Sequence, residues 1–70
     1  MQALSSAAVG ENYTIKWMFG FPEVLDFMRE RGMKEGSRVR VIQKFAGSVI
    51  ISNGRSRIAV GAEAADRIQV

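Results

Sequence analysis

The sequence of 70 residues contains no histidine and no cysteine. Zinc and related transition-metal centres are built mainly on imidazole and thiolate, so they lose their usual ligands here. Disulfides and thiol chemistry are excluded as well. Serines stand at 5, 6, 37, 48, 52 and 56, yet no imidazole can activate them, and an unactivated hydroxyl is a weak nucleophile. No pair of carboxylates or lysines is marked out for acid-base work, and no glycine-rich run leads into Lys-Ser/Thr to cradle a phosphate. A non-enzymatic protein without a cofactor is therefore expected. Long apolar runs are also missing, so nothing approaches the ~20 residues needed to span a bilayer. Met1 to Gly10 carries no Lys or Arg and no sustained apolar stretch, unlike a secretory or transit peptide. With cysteine absent, which suits a reducing compartment, a cytoplasmic location is the expectation.

What is present fits one small globular domain over residues 1–70, with 47% hydrophobic and 24% charged residues. A chain of this length buries only about 60% of its unfolded surface. With no disulfide and no sulfur- or imidazole-bound metal, stability must rest on aliphatic packing or on a partner. Ten Lys and Arg against seven Asp and Glu leave a net charge of +3. That balance admits an acidic protein surface or nucleic acid as a partner.

Residues 13–18 alternate with Tyr13, Ile15 and Trp17 on one side, the period of a half-buried strand with those three facing a core. Phe19-Gly20-Phe21 forms a loop, and Pro22 suits the first position of a helix, followed by Glu23 at its positive end. Val24, Leu25, Phe27 and Met28 fall within an arc of about 160°, an apolar stripe directed at the core. Gly32 supplies the left-handed position that ends the helix, with Arg29 and Arg31 in its last turn. From Arg38 the chain alternates arginine and valine, placing Val39 and Val41 inward. Two further runs, Ser48 to Ser52 and Arg55 to Val60, flank Asn53-Gly54, a strong hairpin signal. A two-residue turn there pairs Ser52 with Arg55 and Val49 with Ile58, and puts Val49, Ile51, Ile58 and Val60 on one face. A helical turn at Ala62 to Asp66 and a closing strand, Arg67 to Val70, complete the chain. Five short strands with one helix between the first two favour a small barrel, since closure removes exposed edges.

These residues resemble the FeoA family, associated with bacterial ferrous iron uptake. The match runs through Leu4, Gly10, Ile15 and Met28, then Gly32-Met33-Lys34-Glu35-Gly36, which is similar to the family's Gly-Leu-x-Pro-Gly turn. It continues through Val39, Val41, Arg57-Ile58-Ala59-Val60, Ala64-Ala65, Ile68 and Val70, and so covers nearly the whole chain. Ala7, Phe27 and Glu35 depart from it, standing where the family commonly has Leu, Arg and Pro. The resemblance implies an SH3-like barrel that works by contact with FeoB, a membrane transporter with a cytosolic GTP-binding domain. It also implies a likeness to the C-terminal domain of metal-dependent repressors.

Three groups of residues are candidate sites. Glu23, Asp26 and Glu30 lie within about 60° of one another on the helix, where they form either a weak all-oxygen cation site or a solvated face with Asp26 neutralised by Arg29. Arg38, Arg40 and Lys44 on one strand and Arg55 and Arg57 on the hairpin share an outer face if the strands are neighbours. They would dock an acidic protein surface, with phosphates of nucleic acid as the alternative. Phe19 and Phe21 either plug one end of the barrel or form an apolar contact patch. The candidate partner-binding residues are therefore Phe19, Phe21, Arg38, Arg40, Arg55 and Arg57, with no resident metal or cofactor expected.

Overall fold

The computed structural model describes residues 1–70 and is mainly β. In chain order its elements are a short 3-10 turn at Leu4–Ser6, β1 (Asn12–Thr14), β2 (Trp17–Met18), α1 (Pro22–Glu30), β3 (Arg38–Phe45), β4 (Ser48–Ser52), β5 (Arg57–Val60), α2 (Ala62–Ala65) and β6 (Ile68–Gln69). The strands form two antiparallel sheets and not one closed five-stranded ladder. One sheet has four strands in the order β1-β3-β4-β5, and the other pairs β2 with β6. The chain ends lie together, with Gln2 and Val70 exchanging backbone hydrogen bonds of 3.0 and 2.8 Å.

The segment expected as one strand over residues 13–18 serves both sheets. Tyr13 pairs with Val39 in the larger sheet, whereas Met18 pairs with Ile68 in the smaller. At the crossing, the Ile15 N–H donates to Ser37 and the Lys16 N–H to Gln69. Strict alternation fails across this step, because buried Ile15 and buried Met18 are three residues apart. Trp17 consequently faces solvent, which corrects its expected place in the core.

The helix begins at Pro22, where a missing N–H costs no intrahelical bond. It ends as expected on Gly32, whose φ of +78° is a left-handed conformation. The Gly32 N–H donates to the carbonyl of Arg29 and the Met33 N–H to that of Met28, a pair of hydrogen bonds that satisfies two of the helix's last carbonyls. Met28 is fully buried and Val24 and Leu25 pack partly on the core. Phe27, at the margin of the expected apolar arc, lies outside the core. Sixteen side chains make up that core and all are apolar, including Val39, Val41, Val49, Ile51, Ile58 and Val60 from the three long strands.

The β4–β5 connection differs from the expected two-residue turn. Ser52 pairs with Arg57 and Ile51 with Ile58, which leaves a loop of residues 53–56. Its closure comes from the Asn53 side chain, whose Oδ1 accepts the N–H groups of Arg55 and Ser56 at 3.0 and 2.8 Å. The shift is two residues, so each side chain stays on the face expected for it. The tight two-residue turn lies instead between β3 and β4, at Ala46-Gly47, both with positive φ. No helix is long and apolar enough to cross a membrane.

Candidate partner-binding surfaces

The first surface is aromatic. Because Met18 points inward against Ile68, its neighbours Trp17 and Phe19 both project outward. Their ring centres are 6.2 Å apart with planes at 68°, an edge-to-face pair. Trp17 is 57% exposed, Phe19 47% and Phe21 38%. Phe19 and Phe21 are thus part of an exposed aromatic patch on the surface. Arg67 organises it. Its carbonyl accepts the Phe19 N–H at 3.1 Å, and its guanidinium carbon stands 5.1 Å from the centre of the Phe21 ring. That guanidinium also donates to the Glu63 carbonyl at 2.8 Å, which fixes the arm along the end of α2. Between the two phenylalanines, Gly20 adopts a φ of +102°, and a Cβ there would come within 2.5 Å of Arg67 Cδ. Trp17 and Arg67 were hidden in the sequence, Trp17 by its alternation with Ile15 and Arg67 by its place in a closing strand.

The second surface is the outer face of the four-stranded sheet. Asn12 pairs with Arg40, Arg40 with Ser52 and Ser52 with Arg57, so these four form one rung across all four strands. Arg38, two residues along β3, shares the face and pairs with Thr14. Lys44 does not join them. The register of β3 against β4 slips between Val41 and Gln43, and beyond this bulge Lys44 pairs with Val49, whose side chain is in the core. An extra residue in one strand reverses the facing of the residues beyond it, and the Lys44 ammonium turns to donate to the Ala7 carbonyl at 3.2 Å. The same reversal brings Phe45 onto the outer face, opposite Ser48 and 69% exposed. Arg55 also leaves the group, since it sits in the 53–56 loop and lines a hollow of about 320 Å³ with Arg29 and Arg31 at the end of α1.

The acidic ridge of α1 remains an exposed helix face. Arg29 pairs with Glu35 at 3.7 Å, and Glu30 lies 3.9 Å from Arg31, while Asp26 forms no ion pair with Arg29. Glu23, Asp26 and Glu30 do not converge, and no three acidic side chains are placed to share a metal ion. Phe27, 42% exposed, is covered in part by Arg31, whose guanidinium carbon is 3.6 Å from the ring centre.

The fold defined by these elements is that of small SH3-like β proteins. Stenotrophomonas maltophilia FeoA, an SH3-domain protein solved with zinc, superposes with a TM-score of 0.77 at 20% identity over 100% of this chain and 89% of that one. An iron uptake regulatory protein, also FeoA, gives 0.77 at 24% identity over 94% of this chain and 89% of that one. A manganese-dependent transcriptional repressor gives 0.79 at 24% identity; it covers 96% of this chain, which spans only 39% of the repressor. No curated protein matches by sequence. The sequence model of the FeoA domain matches residues 2–70, and the chain belongs to the FeoA family.

Proposed function

We propose that this chain is a non-enzymatic accessory protein of bacterial ferrous iron transport, acting in the cytoplasm by contact with the cytosolic domain of a FeoB-type membrane transporter. Family membership over residues 2–70 supports the link to iron uptake, and the Stenotrophomonas maltophilia relative is itself a candidate activating factor of ferrous iron transport. The observation that carries a contact role is the exposed Trp17, Phe19 and Phe21 cluster braced by Arg67. Exposed aromatics gain most when a partner covers them, and Trp and Arg are enriched among residues that dominate binding energy. Any link to iron then passes through the partner, consistent with a chain that has neither thiol nor imidazole to hold the ion.

The test is an NMR titration of the isotope-labelled protein with the transporter's cytosolic GTP-binding domain. Shifts centred on Trp17, Phe19, Gly20, Phe21 and Arg67 are expected, with at least tenfold weaker binding for Trp17→Ala. Unchanged spectra at high micromolar domain concentration would overturn the reading.

A further inference from the structure

We infer that the outer face of the four-stranded sheet is a second docking surface, built for an acidic protein segment that sets carboxylates against Arg38, Arg40 and Arg57 and an apolar side chain beside Phe45. The inference stands on the charge and register of this face alone and does not require the partner to be the transporter.

The pairing of β1, β3, β4 and β5 fixes which residues share the face. Three are arginines and none is acidic. Both ion pairs of the protein lie elsewhere, Arg29 with Glu35 and Glu30 with Arg31, around the end of α1. Glu11, the acid nearest in sequence, forms no ion pair either. Like charges on neighbouring positions of a sheet repel, and a concentrated field of one sign attracts and orients a partner of the other.

Geometry narrows the partner further. Arg38 and Arg40 alternate on one strand, so their Cα atoms are about 6.5–7 Å apart, and Arg57 lies two strands over, about 9.5 Å from Arg40. Carboxylates at alternate positions of an extended chain share the first spacing. Beside these arginines a hollow of about 320 Å³ is lined by Asn12, Arg38, Arg40, Ser52 and Asn53 among others. Its side-chain donors match the oxygens of a carboxylate, which a guanidinium holds with paired bonds. Phe45 stands at the far end of the same face, about 15 Å along β3 from Arg40. Arginines and an exposed aromatic are residue types enriched at binding hot spots, and here they share one face at its two ends. Single-stranded nucleic acid suits this face less well, because it needs successive stacking platforms along a basic groove. Here a single aromatic stands well away from the arginines.

Three probes decide the matter on the intact protein by amide chemical shifts. The first is a synthetic peptide with glutamates at two alternate positions followed by a leucine, the second is the same peptide with glutamines, and the third is an oligothymidylate. The acidic peptide is expected to shift Arg38, Arg40, Ser52, Arg57 and Phe45, with affinity falling as salt is raised, and the glutamine peptide to leave them unmoved. R40E/R57E should bind the acidic peptide at least tenfold more weakly, and Phe45→Ala at least threefold, each retaining the dispersed spectrum of the folded chain. No shift on this face, equal binding of the glutamine peptide, unchanged affinity in R40E/R57E, or tighter binding of the oligothymidylate would each overturn the inference. None of these outcomes bears on whether the transporter domain binds the Trp17 and Phe21 surface.

Discussion

The Arg67 guanidinium carbon lies 5.1 Å from the centre of the Phe21 ring, while its Cδ occupies the space a side chain would need at Gly20. The loop from Phe19 to Phe21 is thus held from one side by a single arginine. Gly20 is required there for two separable reasons, its left-handed φ of +102° and the arm of Arg67.

Gly20→Ala is expected to destabilise the fold by about 1–3 kcal/mol, combining backbone strain with displacement of the arginine. Arg67→Ala gives up the guanidinium's contacts with Phe21 and Glu63, and it also clears the space beside Gly20. In a urea-unfolding cycle the double variant should therefore lose less stability than the sum of the two single changes. Strict additivity would show that Arg67 swings aside freely and does not brace the loop.

Adjacent residues of α1 should respond in opposite ways to truncation or replacement. Met28 is fully buried, and Met28→Ala should cost about 2–5 kcal/mol through lost apolar contact and the cavity left behind. Phe27 lies on the solvent side under Arg31, so Phe27→Arg should change stability by no more than about 0.5 kcal/mol. Denaturant midpoints of the two variants measure this directly. A large loss for Phe27→Arg would mean that the aromatic ring and Arg31 together cap the core.

The parts of the fold that were legible in the sequence are those set by local chemistry. Gly32 ends the helix because its left-handed conformation lets its own N–H and that of Met33 reach back to the helix's last carbonyls. Val49, Ile51, Ile58 and Val60 share a face because a shift of two residues in a hairpin leaves facing unchanged. The features that escaped depend on long-range pairing. Trp17 alternates with Ile15 as though on one strand, yet the chain changes sheets between them, and nothing within residues 13–18 records that. Lys44 comes after Arg38 and Arg40 at even spacing, but the bulge after Val41 moves it to the opposite side of the strand and brings Phe45 onto the outer face. Of the expected arginine face, Arg38, Arg40 and Arg57 are brought together, whereas Arg55 is carried off by a loop two residues longer than the Asn-Gly signal implied.

Lys44 offers a test of that bulge. Its ammonium donates to the Ala7 carbonyl across 37 residues of chain, tying the start of the protein to the end of β3. Lys44→Met keeps the aliphatic stem and removes the donor, and should cost about 1 kcal/mol by leaving a part-buried carbonyl unpaired. Arg40→Met, on the outer face, should be neutral or slightly stabilising, since it relieves repulsion with Arg38 and Arg57. Thermal melts that rank the two variants the other way would place Lys44 back among the outer charges.

Asn53 joins the arginine face to the helix. Its Oδ1 closes the 53–56 loop through Arg55 and Ser56, and its Nδ2 donates to the Arg31 carbonyl at 2.8 Å, where α1 ends. One side chain thereby fixes both the loop beside the arginine face and the helix terminus that carries Phe27 and Arg31. Asn53→Ala deletes all three bonds and should lose about 2–3 kcal/mol, whereas Asn53→Asp keeps both acceptor bonds but sets a carboxylate oxygen against the Arg31 carbonyl, and should lose about 1–3 kcal/mol, all of it at the helix end. Hydrogen exchange should separate the effects by place: Asn53→Asp leaves the Arg55 and Ser56 amides protected and speeds exchange near Gly32, while Asn53→Ala exposes both regions. Equal exchange at Gly32 in the aspartate variant and the parent would show that the helix end is held by its own glycine alone, without help from the hairpin.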